Sequence, residues 1–146
     1  MTKNRIEYFM NEAILEGRKA IPKCLPNPPV GSVIVYKEKI VSRGHTNEPG
    51  RHHAEAMALE NIKNLDYEEL TMFVTLEPCS FQGRTPSCAK AIVKKGIKTV
   101  YVGILDPHPY NQGKGIKILT DANIKVEVGF LKDQVHKELN DFLIRE

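Results

Sequence analysis

Apolar and polar residues follow one another along the chain in patterns that predict both helices and strands. In residues 3–20, apolar side chains recur every three or four positions, which is typical of an amphipathic helix. Two short alternating runs then follow, at residues 31–36 and 39–44. They predict a β-hairpin, although Lys37 and Glu38 are an unusual pair for a two-residue turn and a wider loop would also fit.

The remainder of the chain predicts helices that alternate with buried strands. Predicted strands cover residues 71–76, 99–105 and 124–128, and predicted helices cover residues 53–64, 115–122 and 132–144. A further helix is expected to begin at Pro86 and to be capped by Gly96. This order indicates an α/β fold with a central mixed sheet of five strands and helices on both faces.

The composition is that of an ordinary globular protein. Of the 146 residues, 41% are hydrophobic and 27% charged, with a formal net charge of +3. That charge permits an anionic small substrate and does not indicate a nucleic-acid surface. The length predicts one domain over residues 1–146, and charges among the first twenty residues exclude a signal peptide or membrane span there. Three cysteines fit a reducing compartment better than a disulfide framework, so we expect a cytoplasmic protein.

One histidine and two cysteines have the residue types of a zinc site. His53 stands two residues before Glu55, and Cys79 and Cys88 are separated by eight residues. An imidazole and two thiolates suit a tetrahedral Zn²⁺ ion whose fourth position is open for water. The His-x-Glu half matches the signature of zinc deaminases, whereas the cysteine half is longer than their usual Pro-Cys-x-x-Cys.

Two interpretations of this cluster are open. A closed structural site would need a fourth protein ligand, for which His52, His45 and Cys24 are the nearby candidates. A catalytic site needs a proton shuttle, and Glu55 has the position of one. We favour the catalytic site, because a structural site has no use for that carboxylate.

Four further polar residues are candidates for the pocket, and each also has a plain structural interpretation. Asn27, between prolines, could form a turn or could pair with a ring or a ribose hydroxyl. Arg84 could be a solvated charge or could bind phosphate through its guanidinium. His45 could be a satisfied polar residue or could line the pocket, and Asp106 could simply end a strand or could reach into the site.

Several segments resemble the pyrimidine deaminase domain of bifunctional riboflavin-biosynthesis proteins, which belongs to the cytidine deaminase-like superfamily. They are residues 26–31 (Pro-Asn-Pro-Pro-Val-Gly), 53–55 (His-Ala-Glu), 75–80 (Thr-Leu-Glu-Pro-Cys-Ser), 83–88 (Gly-Arg-Thr-Pro-Ser-Cys) and 106–107 (Asp-Pro). The resemblance extends from about Met10 to the C-terminal helix. The long cysteine spacing and the Pro-Asn-Pro segment are specific to that branch of the superfamily.

The resemblance implies a three-layer α/β/α fold, a bound Zn²⁺ ion and a hydrolytic reaction. That reaction removes the 2-amino group from 2,5-diamino-6-ribosylamino-4(3H)-pyrimidinone 5′-phosphate, a phosphorylated aminopyrimidine. The resemblance also implies a homo-oligomer. A separate reductase is expected as well, since the chain ends about where the family's reductase domain would begin.

The resemblance assigns roles by position. The family's zinc ligands match His53, Cys79 and Cys88, and its proton shuttle matches Glu55. The positions that match its substrate contacts are Asn27, His45, Arg84 and Asp106.

The chain departs from the family pattern in the expected pocket wall. Phe81 stands where the family usually has histidine, His108 where it has asparagine, and Ser87 where it has proline. These departures leave open a different nucleobase, nucleoside or nucleotide as substrate, including adenosine in tRNA. The mixed charges of the predicted last helix argue against RNA. A non-catalytic, zinc-stabilised partner subunit is a further alternative, and the intact Glu55 argues against it.

Overall fold

A mixed sheet of five strands forms the centre of the molecule. The computed structural model describes residues 1–81, 83 and 86–143. In the sheet order β2-β1-β3-β4-β5, the strands are β1 (Gly31–Tyr36), β2 (Lys39–His45), β3 (Leu70–Leu76), β4 (Thr99–Ile104) and β5 (Lys125–Val128). β1 is antiparallel to both of its neighbours, whereas β3, β4 and β5 are parallel. The predicted mixed five-stranded sheet is confirmed.

Within the described ranges, five α-helices cover the two faces of this sheet. They are α1 (Lys3–Arg18), α2 (Ala54–Glu60), α3 (Cys88–Lys95), α4 (Lys114–Asp121) and α5 (Lys132–Leu139), and single 3₁₀ turns cover Tyr67–Glu69 and Asn140–Phe142. None of the helices in this part of the chain has the length and apolar character needed to cross a membrane.

Alternate residues of each central strand serve opposite layers. On β3, Phe73 packs against Phe9 of α1, with ring centroids 5.4 Å apart. Its neighbours Met72 and Val74 point the other way, into a cluster with buried residues of α2, α3 and α4. α5 packs over β4 on the side of α1, to which an ion pair between Arg18 and Glu138 joins it. The predicted three-layer arrangement is therefore confirmed.

The turn between β1 and β2 has two residues, so the hairpin closes with the tight turn and not with the wider loop that would also have fitted the sequence. Lys37 and Glu38 both have positive φ angles, 49° and 59°, as a type I′ turn requires. Arg5 of α1 donates to the Glu38 carbonyl oxygen at 3.1 Å and also pairs with its carboxylate. A contact from a distant helix thus supports a turn whose residues do not favour it locally.

Four predicted helix boundaries are wrong. α1 ends at Arg18 instead of residue 20. α2 ends at Glu60 instead of residue 64, and Asn64 has a left-handed φ of 62° that a helix cannot include. α3 begins at Cys88, so Pro86 lies outside it and Ser87 is the N-cap. α5 ends at Leu139, and the chain continues through a 3₁₀ turn instead of a longer helix. The predicted cap at Gly96 is confirmed, with φ of 92°.

Gly44 allows α2 to lie directly on β2. A Cβ atom at this position would be 2.1 Å from the carbonyl oxygen of Ala54, the first residue of α2. Only a glycine permits this approach. The edge of the sheet therefore sets the position of the helix N-terminus that carries His53 and Glu55.

Candidate active site

Three metal-ligating side chains converge from three different elements. His53 is the N-cap residue of α2, Cys79 lies just after β3, and Cys88 is the first residue of α3. Their donor atoms all lie within 4.8 Å of one another. The Nδ1 atom of His53 is 3.4 Å from Cys88 Sγ and 3.8 Å from Cys79 Sγ.

The donor set and its spacing fit a zinc ion. With Zn–S bonds of about 2.3 Å and Zn–N bonds of about 2.0–2.1 Å, a tetrahedral site separates N and S by about 3.6 Å. The two observed N···S distances lie on either side of that value. In the described part of the chain no fourth His, Cys, Asp or Glu joins the cluster. The arrangement thus resembles a catalytic zinc site, which keeps one position open.

The three candidates for a closing fourth ligand lie elsewhere. The Nδ1 atom of His52 pairs with Glu60 at 3.0 Å, and the Nδ1 atom of His45 pairs with Glu16 at 2.7 Å. Cys24 is fully buried and is not a member of the described donor cluster. These placements favour the open site over the closed one.

A hydrogen bond between the thiols of Cys79 and Cys88 shifts their two pKa values in opposite directions. Donation from the Cys88 thiol lowers the pKa of Cys79 to about 4, although burial opposes this effect and His53 assists it. The same bond, together with burial, raises the pKa of Cys88. The Cys88 backbone N–H also donates to Cys79 Sγ at 3.2 Å. Because metal binding needs both thiolates, a bound cation would take the place of the Cys88 proton.

Glu55 is a buried carboxylate in the first turn of α2. It is 4% exposed and lines the same cavity as His53 and Cys79. Burial raises the pKa of Glu55 to about 7, and the negative charge of Cys79 acts in the same direction. A carboxyl group of this kind can both accept and donate a proton near neutral pH.

Ser87 fastens the two cysteine-bearing segments to each other. Its hydroxyl donates to the Cys79 carbonyl oxygen at 2.8 Å and accepts from the Lys90 backbone N–H at 3.3 Å. The Ala89 N–H donates to the same Cys79 carbonyl at 3.1 Å. The serine that stands where the related family usually has proline therefore serves both as a helix cap and as a brace for Cys79.

A cavity of about 600 Å³ opens beside the metal-ligating cluster. This volume is within the usual range for a small-molecule site. The predicted site residues that line it are Asn27, His53, Glu55, Cys79 and Asp106. Cys88 is buried and is not among the described lining residues.

The four predicted substrate contacts have different placements. Asn27 lines the cavity, and its side chain makes no hydrogen bond with the described residues. Asp106 also lines the cavity, while its carboxylate accepts hydrogen bonds within its own loop. His45 is not among the described lining residues, and its ring bonds to Glu16 of α1. Arg84 lies outside the described residues.

The cavity wall contains both residues that the sequence pointed to and residues that it did not. Phe81 and His108, which depart from the family pattern and were expected in the wall, do line the cavity. Glu77 was not singled out, although it stands in the Thr-Leu-Glu-Pro-Cys segment that carries the resemblance. Phe142 and Leu143 also line it, from the C-terminal side. These two give no local signal for a cavity, because they lie within the predicted helix of residues 132–144 and are apolar in the way that core residues are.

The family model for the cytidine and deoxycytidylate deaminase zinc-binding region matches residues 3–104. The chain belongs to this family. The match includes the segments that carry His53, Glu55, Cys79 and Cys88, which the structure brings to one cavity edge.

Other deaminase-family proteins are similar over nearly the whole chain. The chain is 43% identical to the riboflavin biosynthesis protein RibD of Bacillus amyloliquefaciens over 138 residues, 94% of this chain and 37% of that protein. It is 38% identical to the diaminohydroxyphosphoribosylamino-pyrimidine deaminase of Buchnera aphidicola, and covers 93% of it. The solved structure of Acinetobacter baumannii RibD (form 1) matches with a TM-score of 0.92 and 38% identity, over 97% of this chain and 39% of that one. The chain thus spans over a third of the longer relatives and nearly all of the shorter one.

Replacement of Ser87 should weaken both the fold and the metal site. Ser87→Ala removes a helix cap and the bond to Cys79, so we expect about 1–2 kcal/mol less free energy of unfolding and weaker zinc binding. Urea unfolding and competition with a chromogenic chelator measure the two effects. Ser42→Ala is the matched control, because Ser42 is buried and its hydroxyl donates to the Ala58 carbonyl instead of to a segment that carries a cysteine. Unchanged zinc affinity in Ser87→Ala would show that the hydrogen bond from Ser87 to the Cys79 carbonyl does not support the metal site.

The Glu16–His45 pair should make the fold sensitive to acid. Burial raises the pKa of Glu16, but hydrogen bonds from His45 and Lys19 more than offset it, so the net shift is below the ordinary value of 4.5. Its contribution is therefore present above pH 4.5 and lost as the pH falls through the lower native pKa. Urea unfolding of metal-free protein between about pH 5 and pH 3 should show a smaller acid loss in Glu16→Gln than in the wild type.

Glu12→Gln serves as the control for this comparison, because it removes the neighbouring ion pair with Arg43 and leaves Glu16 intact. Parallel pH profiles for the wild type and Glu16→Gln would show that the pair does not contribute to acid sensitivity.

Proposed function

We propose that this chain is a zinc-dependent hydrolytic deaminase of an aminopyrimidine ribonucleotide. The observation that supports this most directly is the placement of Glu55, a buried carboxyl with a pKa near 7, on the same cavity as an open His-Cys-Cys donor set. The proposed metal ligands are His53, Cys79 and Cys88. Family membership supports the same chemistry.

The proposed reaction replaces an exocyclic amino group with oxygen from water and releases ammonia. A zinc ion, when bound, supplies Lewis-acid activation of the water. Glu55 would pass one proton of that water to the ring nitrogen as the C–O bond forms, and would then pass the remaining proton, from the new hydroxyl group, to the departing amino group. The C–N bond then breaks and ammonia leaves, so both water protons are accounted for and no oxidant or reductant is consumed. Burial of Glu55 keeps its proton transfers away from bulk solvent.

The proposed substrate is 2,5-diamino-6-ribosylamino-4(3H)-pyrimidinone 5′-phosphate. The shorter relative, of which this chain covers 93%, bears the name of a diaminohydroxyphosphoribosylamino-pyrimidine deaminase. The cavity has room for a nucleotide-sized molecule, and Asn27 and Asp106 offer polar groups on its wall. The whole span of residues 1–146 is proposed as one deaminase domain. The homo-oligomer, the separate reductase and the cytoplasmic location stay predictions.

Binding of the substrate's phosphate would be favoured by a lysine or arginine side chain, and the described lining residues of the cavity include neither. The described lining residues include the acids Glu55, Glu77 and Asp106 but no lysine or arginine. Arg84 directly follows Gly83, which does line the cavity. We therefore keep Arg84 as the proposed phosphate ligand, since a guanidinium can grip a phosphate through two parallel hydrogen bonds. His45, whose ring pairs with Glu16, also stays a proposed substrate residue.

Ammonia release by the zinc-loaded protein tests the proposed function. The diaminopyrimidinone ribotide is offered beside cytidine, deoxycytidylate, guanine and an adenosine-containing RNA hairpin. We expect turnover of the ribotide, with Glu55→Gln retaining zinc and losing about a hundredfold or more in kcat. Glu60→Gln, at the exposed end of the same helix, should leave both unchanged.

The other outcomes separate the alternatives. Turnover of another compound alone would keep the zinc chemistry and reject the proposed substrate. Zinc binding without ammonia release from any substrate would favour the non-catalytic subunit. Full activity in zinc-loaded Glu55→Gln would remove Glu55 from the mechanism.

Arg84 should affect the phosphorylated substrate alone. Arg84→Ala should raise KM for the ribotide about tenfold or more, because it removes a charge-assisted hydrogen bond, and Arg84→Lys should recover part of it. The dephosphorylated riboside should show no such change. Lys90→Ala, at an exposed position on α3, controls for the loss of a positive charge. An equal effect of Arg84→Ala on ribotide and riboside would place the phosphate elsewhere.

A further inference from the structure

A buried carboxylate beside the metal-ligating cluster is held entirely by backbone amides. Glu77 is two residues before Cys79 and is 3% exposed. Its Oε1 atom accepts from the N–H groups of Asp106 and Gly113, both at 3.1 Å, and Oε2 accepts from the Ile116 N–H at 3.1 Å. All three donors belong to the segment that runs from the end of β4 into the first turn of α4. Residues 105–113 are termed the β4–α4 loop below.

Glu77 supplies a helix cap that α4 lacks. Gly113 is the N-cap residue of α4 and has no side chain to accept a hydrogen bond. Ile116 is the third residue of the helix, and its N–H is one that an N-cap side chain usually takes. Glu77 provides this acceptor from the end of a neighbouring strand, and its charge lies at the helix end that favours an anion.

Gly115 makes this close contact possible. A Cβ atom at Gly115 would lie 1.9 Å from the Pro78 carbonyl oxygen and 3.2 Å from Glu77 Cγ. The first turn of α4 therefore packs directly on residues 77 and 78, which immediately precede the ligand Cys79.

Asn111 ties the same loop to the other side of Cys79. It is fully buried. Its Nδ2 atom donates to Asp106 Oδ2 at 3.2 Å and to the Pro78 carbonyl at 3.4 Å, and its Oδ1 atom accepts from the Ser80 N–H at 2.9 Å. Asp106 Oδ1 in turn accepts from the His108 N–H at 3.0 Å. Asp106 and His108, which line the cavity, are thus connected through Asn111 to Pro78 and Ser80. These two residues stand on either side of Cys79, a proposed metal ligand.

We propose that Glu77 is a positioning residue, which together with Asn111 holds the β4–α4 loop in register with the metal ligands. Through this loop it sets where Asp106 and His108 stand in the cavity wall. Although Glu77 also lines the cavity, both of its carboxylate oxygens accept hydrogen bonds from backbone amides of the loop, and the role that we assign to it is exerted through that loop. The kinetic consequence rests on the proposed function, whereas the attachment of the loop does not.

Glu77→Gln tests this role with little change in volume. In this variant an NH₂ group replaces one carboxylate oxygen. At least one backbone N–H that donates to Glu77 in the wild type then faces another donor and loses its hydrogen bond. With fold and zinc content retained, amide hydrogen exchange at Asp106, Gly113 and Ile116 should accelerate about tenfold or more, as followed by NMR. The KM for the ribotide should rise about ten- to a hundredfold, with a smaller change in kcat.

Ser32→Ala is the matched control for a general loss of stability. Ser32 is fully buried in β1 and donates to the Phe73 carbonyl at 2.9 Å, away from the β4–α4 loop. This variant should lower the free energy of unfolding while KM and exchange in the loop stay at wild-type values. An equal rise in KM in Ser32→Ala would reduce Glu77 to a structural role and overturn the proposal.

The remaining outcomes are also decisive. Glu77→Gln with wild-type KM overturns the positioning role, whether or not exchange in the loop changes. A wild-type protein that releases no ammonia refutes the proposed function, and the exchange comparison then still decides whether Glu77 holds the loop. Should Glu77→Gln fold poorly, Asn111→Ser tests the same loop from its second anchor, with faster exchange at Ser80 and a higher KM expected.

Discussion

The structure depends on keeping three electron-rich atoms together inside the protein. The donor atoms of His53, Cys79 and Cys88 lie within 4.8 Å of one another, although they come from three separate elements. Two thiolates this close repel each other unless a proton or a cation lies between them. Hydrogen bonding between the two thiols lowers the pKa of Cys79 and raises that of Cys88, which is the direction expected when one proton serves both sulfur atoms. A divalent cation would satisfy the same three atoms more fully, so the arrangement is one that a metal stabilises.

The surrounding buried polar side chains support this cluster through the backbone. Ser87 holds the Cys79 carbonyl, Asn111 holds the Ser80 amide, and Glu77 holds three amides of the β4–α4 loop. Among the described residues, no buried side-chain nitrogen or oxygen lacks a partner. Because an unpaired buried polar group costs on the order of 1–3 kcal/mol, one part of this network cannot shift without the others. The network therefore connects the cavity wall to the proposed metal ligands, as orientation of a reactant would require.

Most of the fold could be predicted from periodicity, because burial on one or both faces leaves a regular pattern in a strand or a helix. In the part of the chain that the structure describes, the five strands and five α-helices lie where that pattern places them, within a few residues. One boundary that failed is decided by a contact outside the element, because α3 starts at Cys88 where Ser87 bonds back to Cys79. The width of the β1–β2 turn, which its sequence left open, is supported by Arg5 of α1. A local pattern contains no information about such partners elsewhere in the chain.

The same division applies to the candidate site. The sequence by itself determined the residue types from which the proposed chemistry is inferred, because ligand type and the short spacing of His53 and Glu55 are local properties of the chain. Only the tertiary structure decided the shape of the cavity. It brought Phe142 and Leu143 to the wall, turned His45 towards Glu16 instead, and placed Glu77 under a loop some thirty residues further on. These outcomes follow from how the helices pack on the sheet, since packing sets which side chains of distant segments meet.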